Sequence, residues 1–245
     1  MKEKSYAKIN LFLKIEGYED GYHKLNSRFM RVKDVYDEIE IREAEKFNII
    51  GDFGCVLRDN TIFKAYLKLI TYFPDIKDYF IGKEIVVTKN IPEMAGLGGG
   101  SSNAATFLNM VNEDSGLGLD KDRLAMIGAE IGSDVPFFIY EIDVANVYGR
   151  GEIVKPYDEK AIDVEIAVPP VECSTPEVFR MYRERYFNPQ KSEFDKIPTM
   201  ELLETKAPEE LNDLLRPALA RYSELFKYKD YGYFSGSGSS FFRVK

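Results

Sequence analysis

A glycine-rich segment between residues 92 and 103 constrains this chain more than any other feature. It reads Pro-Glu-Met-Ala-Gly-Leu-Gly-Gly-Gly-Ser-Ser-Asn, and apolar residues follow at helical spacing, among them Phe107, Leu108 and Val111. The segment therefore predicts a glycine loop that leads into a helix beginning near Ser101. Glycine leaves amide N–H groups uncovered, and the first amides of a helix have no internal partner and lie at the positive end of the helix dipole. Such an arrangement is typical of phosphate binding.

This loop differs from two common phosphate-binding motifs. No Gly-Lys-Ser/Thr ends it, which excludes a Walker A loop, and no acidic residue ends a second strand about 20 residues further on, which excludes the dinucleotide-binding fingerprint. A flexible surface turn stays open as the plain alternative, although the apolar helix that follows favours phosphate binding.

The composition limits the classes of protein to consider. The chain has 245 residues, of which 44% are hydrophobic, so one large domain or two small ones with a sizeable core are expected. The formal net charge is −8, which argues against general nucleic-acid binding because that needs a basic surface. A chain this acidic must concentrate positive potential locally, through loop amides and a few lysines, if it binds a polyphosphate.

Cysteine and histidine usage excludes several kinds of site. Cys55 and Cys173 are far apart and show no metal or redox spacing, so reduced thiols in a cytoplasmic protein are expected. His23 is the single histidine, which excludes a histidine-rich metal site. No apolar run approaches the ~20 residues of a membrane span, so no membrane partner is expected.

Hydrophobic periodicity predicts alternating strands and helices. Residues 5–15 alternate cleanly and predict a strand with one apolar face, and with Lys8 and Asn10 on the opposite face. Further strands are predicted at Val35–Ile41, Glu84–Thr88, Val144–Tyr148, Glu152–Lys155 and Val164–Val168, the third and fourth of these forming a hairpin. One helix is predicted after a cap at Asp59 or Asn60, and a second over about 121–131, ending at Gly132. A third is predicted with Thr175 as its cap and Pro176 as its first residue. Helical segments are also predicted within Leu211–Phe226, with a break at Pro217. Residues 185–200 are predicted to be loop, and a domain boundary is predicted near 154–162.

Two charged positions are candidates for chemistry. Lys8 and Asn10 present a cation and an amide side by side, which suits a hydroxyl or phosphate, whereas the alternative for Lys8 is a solvated charge at a sheet edge. Asp134 follows a helix stop, where it could orient and deprotonate an alcohol or could merely belong to a turn or cap.

Two further segments admit two interpretations each. Tyr22 and His23 could form an aromatic platform for a base, or simply belong to a turn. The segment Ser235–Ser240 is either a hairpin connection or a second wall on the phosphate side.

The order of these motifs resembles the GHMP kinase superfamily over nearly the whole chain. The resemblance lies in Ala7-Lys8-Ile9-Asn10-Leu11, Asp20-Gly21-Tyr22-His23, the glycine loop, Gly132-Ser133-Asp134-Val135-Pro136-Phe137-Phe138 and Ser235-Gly236-Ser237-Gly238. The first two point to the branch that acts in non-mevalonate isoprenoid biosynthesis. The resemblance implies an α+β, two-lobed GHMP-kinase fold, with a lobe like ribosomal protein S5 domain 2 over residues 1–154 and a ferredoxin-like lobe over 155–245.

The resemblance also implies roles for particular residues. It implies ATP and Mg²⁺, with Lys8 and Asp134 as the catalytic pair. The implied ATP-binding residues are Asn60, Lys89, Pro92, Glu93, Met94, Ala95, Gly96, Leu97, Gly98, Gly99, Gly100, Ser101 and Ser102. The implied residues for a small substrate with a cytidine diphosphate group are Asn10, Tyr22, His23, Thr175 and Phe179.

Some features depart from the family pattern, and other functions stay open. Ser133 stands where the family commonly has alanine, and Ser239-Ser240 where it often has Ala-Cys. The alternatives are a GHMP kinase of homoserine or mevalonate type, and a non-catalytic nucleotide-binding regulator. Oligomeric state and Mg²⁺ ligands do not follow from the residues.

Overall fold

The computed structural model describes all residues from Met1 to Lys245 and confirms an α+β fold. The strands are β1 (Lys2–Glu19), β2 (Tyr22–Glu43), β3 (Asn48–Gly51), β4 (Lys83–Thr88), β5 (Val144–Gly149), β6 (Ile153–Pro156), β7 (Val164–Ala167), β8 (Tyr233–Phe234) and β9 (Phe241–Val244). The helices are α1 (Thr61–Tyr72), α2 (Gly99–Asp114), α3 (Lys121–Ala129), α4 (Val135–Ile139), α5 (Thr175–Met181), α6 (Thr199–Thr205), α7 (Pro208–Leu211) and α8 (Leu215–Arg221).

The chain divides into two compact units, each assembled from separate stretches of sequence. Unit 1 comprises Met1–Ala7, Val32–Ile91 and Gly98–Glu141, and unit 2 comprises Lys8–Arg31, Pro92–Leu97 and Ile142–Lys245. Each unit consists of residues that pack together in space. The division into domains 1–154 and 155–245 that the resemblance implies stays a prediction.

Unit 1 packs four helices together with part of a sheet. The second half of β2 pairs antiparallel with β4, from Glu38 opposite Thr88 to Glu43 opposite Lys83, and β3 lies parallel to β4. Helix α2 contacts α1, α3 and α4. Its buried face includes Ala104, Ala105, Phe107, Leu108 and Val111, which confirms the apolar helix predicted after the glycine loop. Asn60, rather than Asp59, caps α1.

Unit 2 contains the first half of β2 and a separate small sheet. Leu25 to Met30 pair antiparallel with β5, and β5 pairs with β6, which confirms the predicted hairpin. The small sheet has the order β7-β9-β8. An apolar cluster joins β1 to the C-terminal helices and strands: Leu13, Ile15, Cys173, Val178, Tyr182, Leu214, Leu215, Ala218, Leu219, Leu225, Phe234 and Phe241.

The strand predicted over residues 5–15 is confirmed as part of β1, and its middle is buried on both faces, including Lys8 at 4% exposure. Two other local predictions are wrong for identifiable reasons. Thr175 does not cap α5, because Ser174 takes the cap position and the Thr175 hydroxyl bonds Ser237 instead. Pro217 does not break a helix, because it lies in the first turn of α8, where a backbone N–H needs no internal acceptor.

Two further observations bear on the class of protein. Cys55 is exposed, Cys173 is buried, and no disulfide joins them. None of the helices has the length and apolar character that a membrane crossing requires.

Candidate functional site

Lys8 lies in the interior of unit 2, which excludes a solvated edge charge. Its Nζ donates to Asn10 Oδ1 at 2.6 Å and to the carbonyl of Gly96 at 3.2 Å, and it lies 4.6 Å from the centre of the Phe29 ring. The Lys8 backbone N–H donates to the Leu97 carbonyl at 2.9 Å. Strand β1 therefore holds Lys8 against the first part of the glycine loop.

Asn10 is fixed in orientation by its neighbours. It is 2% exposed, its Nδ2 donates to Ser27 Oγ at 3.0 Å, and its backbone N–H donates to Ser235 Oγ at 3.1 Å. Because the amide nitrogen faces a hydroxyl, the amide oxygen is left to accept from Lys8. The predicted pairing of a cation with an amide is present, and two elements distant in sequence support it.

The late segment Ser235–Ser240 packs against the first part of the glycine loop. Ser240 N–H donates to the Ala95 carbonyl at 3.1 Å, and Ser235 Oγ donates to the Gly96 carbonyl at 3.3 Å. Gly96 has φ +74°, and a Cβ there would lie 2.5 Å from the Ser235 carbonyl oxygen. The late segment is thus both the connection between β8 and β9 and a wall against the glycine loop.

The second part of the glycine loop forms the start of α2 in unit 1. Gly98 has φ +71° and occupies the cap position without a side-chain cap, and the first intrahelical bond runs from Ser102 N–H to the Gly98 carbonyl at 2.9 Å. The amides before Ser102 have no intrahelical acceptor, and no acidic residue lies in the first turn. This end of α2 therefore carries the uncompensated partial positive charge that suits an anion.

Asn60 and Lys89, the two other residues implied for ATP, have internal partners in unit 1. Asn60 Oδ1 accepts from the N–H groups of Ile62 at 2.9 Å and Phe63 at 3.2 Å. Lys89 Nζ forms an ion pair with Asp37 and donates to Asn103 Oδ1 at 3.1 Å. A Cβ on Gly99 would lie 3.5 Å from Lys89 Nζ, so this ammonium group lies beside the first residue of α2.

Asp134 lies at the start of the short helix α4, beside the same end of α2. It occupies the cap position but its side chain makes no cap bond, so the cap interpretation does not account for it. A Cβ on Gly132, two residues earlier, would lie 3.6 Å from Ser101 Oγ. The turn that carries Asp134 therefore borders the first turn of α2.

His23 lies in an aromatic cluster in unit 2, but not with Tyr22. Its ring centre is 4.9 Å from those of both Tyr18 and Phe179 and 5.8 Å from that of Tyr182. Tyr22, 54% exposed, instead lies under the Arg150 guanidinium at 4.5 Å. The predicted Tyr22–His23 platform is wrong as a pair, because successive strand residues point to opposite faces.

The surroundings of the His23 imidazole favour its neutral form, and one of its nitrogens is unused. Burial, and next the charge of Arg183, lower the pKa of His23 below its usual 6.5. Its Nε2 is buried and has no hydrogen-bond partner in the protein. A buried polar atom without a partner is costly, so this atom suits a polar group of a ligand.

Thr175 and Phe179 lie one turn apart on α5. Phe179 contacts His23, and the Thr175 hydroxyl lies 2.7 Å from that of Ser237 in the late segment. Helix α5 thus links the aromatic cluster to the wall of the glycine loop.

Sequence reasoning missed two buried anchors. Asp37 shares the alternating face of Val35, Ile39 and Ile41, and a carboxylate at an apolar position was the available signal. Asn212 donates to the carbonyls of Phe234 at 2.9 Å and Gly236 at 3.0 Å, and nothing in its sequence context indicates this.

Large clusters of metal-ligating side chains are absent. The protein has no group of three or more His, Cys, Asp or Glu side chains placed to hold a metal ion. Mg²⁺ commonly needs only one or two protein carboxylates together with substrate phosphates, so this finding does not bear on a magnesium ion bound with a phosphate ligand.

Comparisons with known proteins agree on one family. The family model described as GHMP kinases N terminal domain matches residues 60–141. A protein of Sulfurimonas denitrificans named 4-diphosphocytidyl-2-C-methyl-D-erythritol kinase is 46% identical, covering 99% of this chain and 96% of its own length. A protein of the same name from Sulfurovum sp. is 45% identical and covers 98% of each chain.

Solved structures show the same likeness. The crystal structure of a 4-(cytidine 5'-diphospho)-2C-methyl-D-erythritol kinase superposes with a TM-score of 0.76 at 30% identity, covering 100% of this chain and 90% of that one. The mevalonate kinase of Methanococcus jannaschii gives a TM-score of 0.62 at 14% identity over 100% of this chain and 90% of that one, which shows a common fold alone.

Proposed function

This chain belongs to the 4-diphosphocytidyl-2-C-methyl-D-erythritol kinase family of GHMP kinases, and we propose that it phosphorylates the 2-hydroxyl of that cytidyl compound with ATP. The observation that carries the proposal is identity of 45–46% with proteins of this name over nearly the whole length. The reaction belongs to the non-mevalonate route to isoprenoid precursors.

The start of α2 supports binding of the ATP phosphates. Its first amides have no intrahelical acceptor, and the helix dipole adds positive potential in a chain whose net charge is −8. Mg²⁺ enters as the counter-ion of ATP and neutralises phosphate charge. The amides, Asn60 and Lys89 are the residues of this chain that we assign to the nucleotide.

We assign the proton transfer to Asp134 and charge stabilisation to Lys8. The 2-hydroxyl oxygen forms a bond to the γ-phosphorus, the bond from that phosphorus to the bridging oxygen breaks, ADP leaves, and Asp134 accepts the hydroxyl proton. Support comes from two observations. The turn that carries Asp134 borders the first turn of α2, and the Lys8 ammonium is held in a buried, fixed position.

We assign the cytidyl group to the aromatic cluster around His23. The His23 and Phe179 rings pack together with an angle of 34° between their planes and offer an aromatic surface for a base. The unpartnered Nε2 of His23 offers a polar contact. Asn10 and Thr175 complete the proposed acceptor side, whereas a substrate contact of Tyr22, on the opposite strand face, stays a prediction. Homoserine and mevalonate have no base to stack, so this cluster favours the cytidyl substrate over those acceptors.

The test is an assay of ADP release with Mg-ATP and three acceptors. Turnover is expected with 4-diphosphocytidyl-2-C-methyl-D-erythritol and not with homoserine or mevalonate. Turnover with another alcohol would keep phosphoryl transfer and discard the cytidyl site. ATP binding without any turnover would support the regulator instead. We also propose a cytoplasmic location, in keeping with two cysteines that form no disulfide.

A further inference from the structure

Asp37 is a buried carboxylate that the proposed reaction does not use. It is 0% exposed and lies on β2 between residues of the apolar face. Burying a charge is costly unless it is paired and hydrogen-bonded, so the contacts of Asp37 indicate what its charge holds in place.

Both oxygens of Asp37 are fully engaged. Oδ1 accepts from the backbone N–H groups of Asn90 at 2.6 Å and Ile91 at 2.8 Å. Oδ2 accepts from Asn103 Nδ2 at 2.9 Å and forms the ion pair with Lys89. One carboxylate therefore holds four donors from two segments of unit 1.

Those two segments are the two ends of the glycine loop. Ile91 directly precedes Pro92, where the loop begins, and Asn103 is the fifth residue of α2, which begins at Gly99. Asp37 thus ties the chain before the loop to the helix after it. Fixing both ends limits the conformations that the loop between them can adopt, and the entropic cost of ordering it for a ligand falls accordingly.

A directed chain of hydrogen bonds runs from Asp37 to Ser102. A carboxylate only accepts, so the amide nitrogen of Asn103 must face it, and the amide oxygen faces Lys89. The second N–H of Asn103 donates to Ser5 Oγ at 2.9 Å, and the Ser5 hydroxyl donates to Ser102 Oγ at 2.7 Å. Ser102 Oγ accepts a hydrogen bond from Ser5, so the Ser102 hydroxyl hydrogen points away from Ser5.

We propose that Asp37 is a positioning residue for the nucleotide phosphates: it fixes both ends of the glycine loop and, through Asn103 and Ser5, orients the Ser102 hydroxyl to donate to a phosphate oxygen. The inference rests on the proposed function only in taking ATP as the ligand. Asp37 touches no phosphate itself.

Positioning and simple charge predict opposite results. In Asp37→Asn the carboxylate charge is lost and the Lys89 ammonium beside Gly99 stays, so charge alone would tighten phosphate binding. Loss of positioning would weaken it, because an amide cannot accept four donors. We expect the dissociation constant of Mg-ATP to rise at least tenfold, with a smaller rise for AMP, because AMP makes fewer phosphate contacts.

The experiment is calorimetric titration of Mg-ATP, Mg-ADP and AMP in the absence of acceptor. Asp213→Asn is the matched control, since Asp213 also pairs with a lysine, Lys14, and accepts a backbone N–H from Ile15, but in unit 2. That control is expected to lower the melting temperature and leave ATP affinity within twofold. Equal losses for AMP and ATP in Asp37→Asn, or unchanged or tighter ATP binding, would overturn the proposal.

Ser5 decides the matter if Asp37→Asn does not fold. Ser5→Ala is expected to weaken Mg-ATP binding about threefold to tenfold in the wild-type background and not at all in a Ser102→Ala background, because it acts through Ser102. An equal loss in both backgrounds, or none in either, would contradict the directed chain. Wild-type protein that binds no ATP would instead refute the proposed function, so the two failures are distinguishable.

Discussion

The two loops rich in glycine and serine are anchored by side chains of opposite character. Asp37, a carboxylate, gathers N–H donors and a lysine at the ends of the 92–98 loop. Asn212, an amide that is 2% exposed, gathers the carbonyls of Phe234 and Gly236 at the start of the 235–240 loop.

The difference shows what each loop depends on. The first anchor works through a charge and is weakened by neutralising it. The second works through two N–H donors and is weakened by losing them, whatever the charge. The following predictions test this contrast, from the largest expected effect to the smallest.

The largest effect is expected at Asp134, which belongs to neither anchor. Asp134→Asn is expected to lower kcat by about 10²–10⁴-fold with little change in either KM, because a general base is removed while binding groups remain. Steady-state kinetics measure it. Turnover within about threefold of wild type would exclude Asp134 as the base and leave the loops as the main source of catalysis.

Asn212→Asp tests the neutral anchor by adding the charge that the other anchor has. A carboxylate cannot donate, so two buried carbonyls lose their donors, and we expect the free energy of unfolding to fall by about 3 kcal/mol or more. Urea unfolding measures it. Asn109→Asp is the control, because Asn109 is half-buried, donates to a single carbonyl, that of Ile139, at a long 3.3 Å, and its Oδ1 accepts from Lys121, so a loss below about 1 kcal/mol is expected there. Equal losses at both sites would remove Asn212 as an anchor.

Gly96→Ala tests the contact of the late segment with the glycine loop. At φ +74° a side chain is strained, and its Cβ would lie 2.5 Å from the Ser235 carbonyl oxygen, so a loss of about 2 kcal/mol or more in unfolding free energy is expected. Gly100→Ala, inside α2 with its nearest contact at 3.5 Å, is expected to gain up to about 1 kcal/mol. The two variants are compared by urea unfolding without nucleotide, and matching values would show that the loops do not hold one another.

His23→Ala extends the comparison to the aromatic cluster around His23, which α5 links to the late segment. The loss of stacking and of the Nε2 contact is expected to weaken binding of the cytidyl substrate by about 1–3 kcal/mol. KM for that substrate should rise accordingly, and KM for ATP should stay unchanged. Tyr22→Ala, on the opposite strand face, is expected to cost less. An unchanged cytidyl KM in His23→Ala would refute the aromatic site, and a larger loss in Tyr22→Ala would restore the Tyr22 interpretation.

The smallest expected effect is a pH dependence of stability that His23 causes. Its pKa is lowered in the folded protein, so the unfolded chain binds a proton first as pH falls below about 6.5, and stability is present above that pH and lost below it. The side chain is only partly buried, so the loss stays below about 1 kcal/mol. The measurement is the difference in unfolding free energy between wild type and His23→Gln, by urea unfolding at pH 7.5 and at pH 5. We expect wild type to lose stability relative to His23→Gln at pH 5, and a relative gain at that pH would contradict the sign.

Local chemistry made part of the fold predictable. Asn60 could be predicted as a cap because an amide before an apolar helix commonly accepts from the first N–H groups of that helix. The glycine loop could be predicted because its uncovered amides precede such a helix. The role of Asp37 was not, because a carboxylate on an apolar strand face signals burial but not its partners. Its partner Asn103 lies 66 residues away, and only tertiary packing brings the two together.

The same limit applies to the Tyr22–His23 platform and to Lys8. Because Tyr22 and His23 are adjacent in the sequence, their rings were expected to lie together. The strand geometry instead separates the two rings and brings Phe179, on a distant helix, to His23. The polar face of β1 suggested solvent, whereas the late segment and the glycine loop cover it.

The apolar cluster of unit 2 has a consequence for the order in which the chain can be made. Phe241, which belongs to the same cluster, follows Ile15 by 226 residues in the sequence. At about 5–20 residues per second, Leu13 and Ile15 wait on the order of ten seconds or longer for this partner to be synthesised. During that time the apolar strand lacks part of its cover on the nascent chain, so the yield of folded protein in a cell depends on whatever shields Leu13 and Ile15 until Phe241 is made.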